Sequence, residues 1–252
     1  MTPGTPSWLR QIAERPPEAG ESNPVLERIP APGAAVREAA VLVLFGGDPE
    51  PDPTQPGGLP TDADVLLTQR ASTLRQHSGQ IAFPGGGSDP EDDGPIATAL
   101  REAQEETGLD PRGVQPLTVW PGIFIPPSGF DVRTVLAYWH TPTPVRVVDS
   151  AEAERVVRVP VRELIDPANR FQVRHPLGYQ GPAFLVDGMV VWGFTGGILA
   201  GLLAVSGWER EWDRDDIRDL ETTLERAGMQ STWQRPTEPV PTDSPVLRDD
   251  DR

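Results

Sequence analysis

Three carboxylates sit within one and a half turns of a single predicted helix: in ATALREAQEETGL (97–109), Glu102, Glu105 and Glu106 follow Arg101 and precede Gly108. At about 100° per residue the three acids share an arc of roughly 100°, so they crowd one flank. Like charges four apart weaken a helix, and Arg101 is the only cation close enough to relieve them. One reading is a charged face that water solvates. The other is a site for a hard cation such as Mg²⁺ or Mn²⁺, which takes carboxylate oxygens, keeps some of its water and is often shared with substrate phosphates.

Ile96, Ala99, Leu100 and Ala103 recur at i, i+3, i+4 and i+7, which predicts a helix over 95–107 with this stripe buried. Pro95 suits its first turn and Gly108 its end. The preceding FPGGGSDPEDDG (83–94) is a glycine-rich loop. Gly85 and Gly86 there can let backbone approach a ligand closely before the chain enters the helix.

Taken together, Gly87, five residues, Asp93, seven residues and then Arg101-Glu102-Ala103-Gln104-Glu105-Glu106-Thr107-Gly108-Leu109 resemble the Nudix box, G-x5-E-x7-R-E-U-x-E-E-x-G-U with U aliphatic. The resemblance implies a strand–loop–helix site on an α/β/α sandwich, an α/β (α+β) fold with a mixed sheet. It also implies hydrolysis of a nucleoside diphosphate linked to another moiety, with Mg²⁺ or Mn²⁺. Carried over by position, Glu102, Glu105 and Glu106 become metal ligands and Arg101 orients a carboxylate. The water-activating base is Glu102 or an acid from a later loop, for which Glu152 is the candidate, the alternative for Glu152 being a plain helix-start acid. Two positions depart from the pattern: Asp93 replaces the Glu and Ala103 is small for its aliphatic place. Asp93 is expected to weaken rather than abolish activity.

LLTQRASTLRQHSGQIAFPGG (66–86) is similar to the extra motif of the coenzyme A diphosphatase branch, and IPPSGFDVRTVLAYW (125–139), AEAERVVRVPVREL (151–164) and GPAFLVDGMVVWGFTGGIL (181–199) also look like that branch. The implied reaction releases 3′,5′-ADP and 4′-phosphopantetheine or its derivative. Arg70, Arg75 and His77 lie just before the glycine loop, and Arg forks bind phosphate well. Each of the three could instead be structural, the arginines paired with surface acids and His77 a local hydrogen bonder. Another Nudix substrate, such as ADP-ribose, NADH, a dinucleoside polyphosphate or a nucleoside triphosphate, is the alternative within enzymes. A binding module without catalysis is the alternative outside them. His140 and His175 belong to no convincing constellation, and Phe184 and Trp192 read as core residues.

Composition bounds these readings. The net charge of −16 over 252 residues repels nucleic acid and anionic lipid, so neither is an expected partner, and an anionic nucleotide needs a local patch of arginine or a bridging cation. There is no cysteine, which suits a reducing cytoplasm, and no lysine, which removes P-loop and Schiff-base chemistry. No stretch approaches the roughly 20 apolar residues of a membrane span. No G-x-S-x-G, H-E-x-x-H or strand-following G-x-G-x-x-G occurs. Homodimerisation is expected only from the resemblance.

These residues need elements to position them. Strands are predicted at 39–45, 64–70, 80–83, 114–120, 132–139, 183–188 and 189–193, and helices at 95–107, 194–206 and 214–227. A Pro/Gly-rich N-terminal extension (1–35) with a short helix near Trp8–Glu14 should precede a Nudix domain (36–230). An acidic, disordered tail (231–252) should follow.

Overall fold

The computed structural model describes residues 4–16, 26, 28–30, 33, 35–73, 79–125, 128–175 and 178–229. Among them, two sheets and their covering helices build a layered α+β fold. The central strand β1 (Arg37–Gly46) is long and apolar on both faces: Ala40, Leu42 and Leu44 enter one core, while Val43 and Phe45 enter the other. A strand buried on both sides reads as a continuous apolar run. β1 runs parallel to β7 (Phe130–Trp139) and antiparallel to β2 (Asp64–Arg70) and the short β4 (Gly85–Gly87). β3 (Ile81–Ala82) and β8 (Ala153–Pro160) join β2, whereas β5 (Val114–Val119) and β6 (Ile123–Ile125) join β7. Pro116, which cannot donate to a ladder, sits where the β5–β7 register slips.

On one face lies α2 (Gly94–Thr107), whose Ala99 and Ala103 pack with Leu42, Leu66, Ala137 and Trp139. On the other face are α1 (Ser7–Glu14), α4 (Gly193–Ser206) and the second sheet of β9 (Arg170–Arg174), β10 (Gln180–Val186), β11 (Met189–Val191) and β12 (Ile217–Asp219). One helical turn, α3 (Val161–Leu164), follows β8, and α5 (Leu220–Arg226) follows β12. No helix among the described residues is long and apolar enough to cross a membrane.

Three expectations change. Residues 1–35 do not form only an extension: Trp8, Leu9 and Ile12 of α1 are buried, and Trp8 sits edge-on to Phe45 with ring centroids 6.4 Å apart. Its indole N–H donates to the Asp48 carbonyl at 2.9 Å, so the amphipathic face of this short helix is paired with the domain rather than with water. The helix predicted over 214–227 shrinks to α5, because the aspartates before it bond locally. Asp213 accepts from the Asp215 amide at 2.9 Å, and Asp219 caps the Thr222 amide at 2.9 Å, starting the helix only there. Finally, Ile96 is 37% exposed and leaves the buried stripe, which runs instead through Thr98, Ala99, Ala103 and Thr107. Ile96 lies in the first turn of α2. Residues 231–252 lie outside the described residues.

Candidate active site

Alanine at 99 and 103 lets α2 lie close on the sheet, and the helix also packs beside β4. A Cβ added to Gly86 would stand 2.5–2.6 Å from the carboxyl atoms of Glu102, so the glycine is the cradle in which that carboxylate rests. Gly85 likewise leaves no room for a side chain against the Ala40 carbonyl. Its amide points toward Glu106, with the nitrogen 3.4 Å from Oε2. α2 ends on Gly108 in the left-handed conformation (φ 69°), whose amide bonds back to the Gln104 carbonyl at 2.9 Å.

Arg101 organises the acids. Its Nη1 donates to Glu102 at 3.0 Å and Glu105 at 3.2 Å, its Nη2 to the Gly87 carbonyl at 3.0 Å, and its Nε and Nη2 together grip Asp92 at 3.0 and 2.9 Å. Asp89 stands 3.6 Å away. Asp92, only 7% exposed in its side chain, is held far below the usual carboxylate range by this guanidinium and by the Asp89 amide. The sequence reading missed Asp92. Asp93, which takes the Nudix-box position, is exposed and caps nothing with its side chain.

Glu106 has no such partner. Burial pushes its carboxyl up to about 7, with the charges of Glu102 and Glu152 adding to the rise and Arg70 and the Gly85 amide opposing it. Glu102 is also raised by burial, less so because Arg101 offsets it. Arg70, Glu102, Glu106 and Glu152 therefore share one electrostatic neighbourhood drawn from β2, α2 and the turn before β8. Glu152 is brought there by the chain around it, since its carbonyl accepts from the Ala71 amide at 2.8 Å, next to Arg70. The Arg70 Nε is buried without a hydrogen-bond partner among the described residues. Arg75 and His77 lie outside the described residues. The His140 ring bonds its neighbour Thr141 at 2.8 Å, and Phe184 is core as expected.

Among the described residues, no three acidic or imidazole groups already converge as a metal cage. Arg101 holds Glu102 and Glu105 to one side while Glu106 points to Gly85, an arrangement that keeps like charges apart. The donor chemistry nevertheless fits a hard divalent cation. Three carboxylates share the flank with Arg101, one of them is largely buried, and Gly86 leaves space against another.

The NUDIX domain model matches residues 53–177. The chain belongs to the Nudix hydrolase family, whose members generally use divalent metal cations. Among curated proteins it is 36% identical over 170 residues to the uncharacterized Nudix hydrolase NudL of Cronobacter sakazakii, covering 65% of this chain and 79% of that protein. The same figures hold for NudL of Salmonella paratyphi B. Among solved structures it is similar to the Nudix hydrolase RenU of M. smegmatis, at TM-score 0.45 and 20% identity over 71% of this chain and 92% of that one. A C. elegans Ap4A hydrolase matches at TM-score 0.42 and 18% identity over 67% and 96%.

Proposed function

We propose that this chain hydrolyses the diphosphate of coenzyme A or its derivatives, releasing 3′,5′-ADP and 4′-phosphopantetheine or the corresponding derivative. The observation that carries the reading is Arg70, the arginine of LLTQR, within charge range of the buried Glu106. The motif that resembles the coenzyme A branch thus runs into the acidic flank rather than away from it.

A divalent ion, when bound, neutralises phosphate oxygens and lowers the pKa of coordinated water. Glu102, Glu105 and Glu106 are the carboxylates that would hold it, Mg²⁺ or Mn²⁺ being the hard cations that suit oxygen ligands. Arg101 fixes the direction of Glu102 and Glu105. The Arg70 fork is assigned to a phosphate oxygen, and the Gly85 and Gly86 backbone to the wall of the space the diphosphate would occupy. Water adds to phosphorus and the bridging P–O bond breaks, the proton of that water passing to Glu102 or Glu152. Arg75 and His77 are assigned to the remaining anionic groups of the substrate, the 3′-phosphate among them.

Purified protein incubated with coenzyme A, ADP-ribose, NADH and dGTP, each with Mg²⁺ or Mn²⁺, tests the assignment by product mass. Formation of 3′,5′-ADP from coenzyme A is expected. Cleavage of the other compounds without coenzyme A would overturn it.

A further inference from the structure

Position 93 carries an aspartate where the Nudix box has a glutamate, yet the structure gives that side chain nothing to do: it is exposed and makes no cap bond to α2. One residue earlier the opposite holds. Asp92 presents both oxygens to Arg101, Oδ1 to Nε at 3.0 Å and Oδ2 to Nη2 at 2.9 Å, the two-pronged geometry that fixes a guanidinium in direction as well as distance. Its carboxylate is itself tied down, accepting from the Asp89 amide at 2.9 Å, while the Asp92 amide donates to the Asp89 carbonyl at 3.0 Å. With one edge of its fork so anchored, Arg101 can direct only Nη1 at Glu102 and Glu105.

We infer that Asp92, not Asp93, is the positioning residue of this site: it holds Arg101, and through Arg101 it sets the direction of the Glu102 and Glu105 carboxylates. The shortened acid at 93 is thereby made irrelevant, since the loop delivers a carboxylate from the neighbouring position. The consequence for activity rests on the functional reading above; the consequence for Arg101 does not.

The test compares Asp92→Asn, Asp92→Glu, Asp93→Asn and the double variant Asp92→Asn/Asp93→Glu in the full chain. Loss of a group that orients a ligand costs about 10–100-fold in metal affinity or activity. Asp92→Asn should lose kcat by that factor with KM for coenzyme A little changed, and should bind Mn²⁺ more weakly in a direct titration. Asp92→Glu, which keeps the charge, should recover part of the loss. Asp93→Asn should match the parent, and a glutamate at 93 should not rescue Asp92→Asn. In metal-free protein the Arg101 Nε–H resonance should exchange slowly, persist in Asp93→Asn and vanish in Asp92→Asn. An equal or larger loss in Asp93→Asn, by kinetics or by the resonance, overturns the inference. If the parent cleaves none of the diphosphates, the functional reading falls and the pair of resonances alone decides the role of Asp92.

Discussion

Glu106→Gln should make the metal-free protein more stable while removing its activity, and the gain should appear only above a particular pH. Burial lifts the Glu106 carboxyl from an ordinary 4.5 to about 7. Between those values the folded state binds more protons than the unfolded chain, so stability falls as pH rises through this window. Below pH 4.5 the carboxyl is neutral in both states and costs nothing; above about 7 the full penalty of a buried charge is present. A gap of that size corresponds to at most about 3 kcal/mol. Glutamine has the same shape and no charge, so the variant escapes the penalty. For a domain of this size about 3 kcal/mol is worth roughly 6–12 °C in Tm. The assay is thermal unfolding with chelator present, parent against variant, from pH 4 to pH 8.5. The curves should coincide near pH 4, separate progressively between about pH 4.5 and 7, and run parallel above that, with the variant the more stable. Adding Mn²⁺ should raise the parent Tm and leave the variant nearly unmoved. Parallel pH profiles in the two proteins would refute the reasoning, because Glu106 would then not be a charge held against desolvation.

Gly86→Ala places a methyl group where the Glu102 carboxylate rests, 2.5–2.6 Å away, so turnover should fall at least about tenfold and stability by about 1–3 kcal/mol, read by kinetics and denaturant unfolding. Arg70→Ala should raise KM for coenzyme A more than it lowers kcat, since this fork is assigned to a substrate phosphate; an unchanged KM contradicts the assignment. Trp8→Ala should destabilise the domain by about 3–5 kcal/mol with active-site kinetics intact at low temperature, as expected for a core residue rather than part of a tail.

The long elements were legible in the sequence because one physical signal dominated each. AAVLVLF read as a strand, and the run from Pro95 to Gly108 carried a start, a stripe and a stop, so β1 and α2 fell where the pattern put them; that β1 is buried on both faces came from the structure. Shorter elements rest on contacts that no local pattern shows. β4 is three glycines, which no propensity would make a strand; β1 offers it a ladder, and β1 at Gly85 and Glu102 at Gly86 leave no room for a side chain. α1 was read as a helix but not as core, since the partners of Trp8, Phe45 and Trp208, lie far along the chain. In the site, the three glutamates and Arg101 were visible through their spacing. Asp92 was not, because motif position favoured its neighbour. Only the loop's turn at Asp89 decides which aspartate faces the guanidinium, although the run EDD did offer both. Glu152 entered through resemblance, and its nearness to Glu106 follows from pairing of β2 with β8.

The proposed function requires carboxylates of α2 to hold a divalent ion against a diphosphate. Manganese paramagnetic resonance on the parent, Glu102→Gln and Glu106→Gln, with and without coenzyme A, tests it most directly. Tight Mn²⁺ binding is expected in the parent, with a spectrum that changes when coenzyme A is added and at least about tenfold weaker binding in each variant. Equal Mn²⁺ affinity in all three proteins would contradict it.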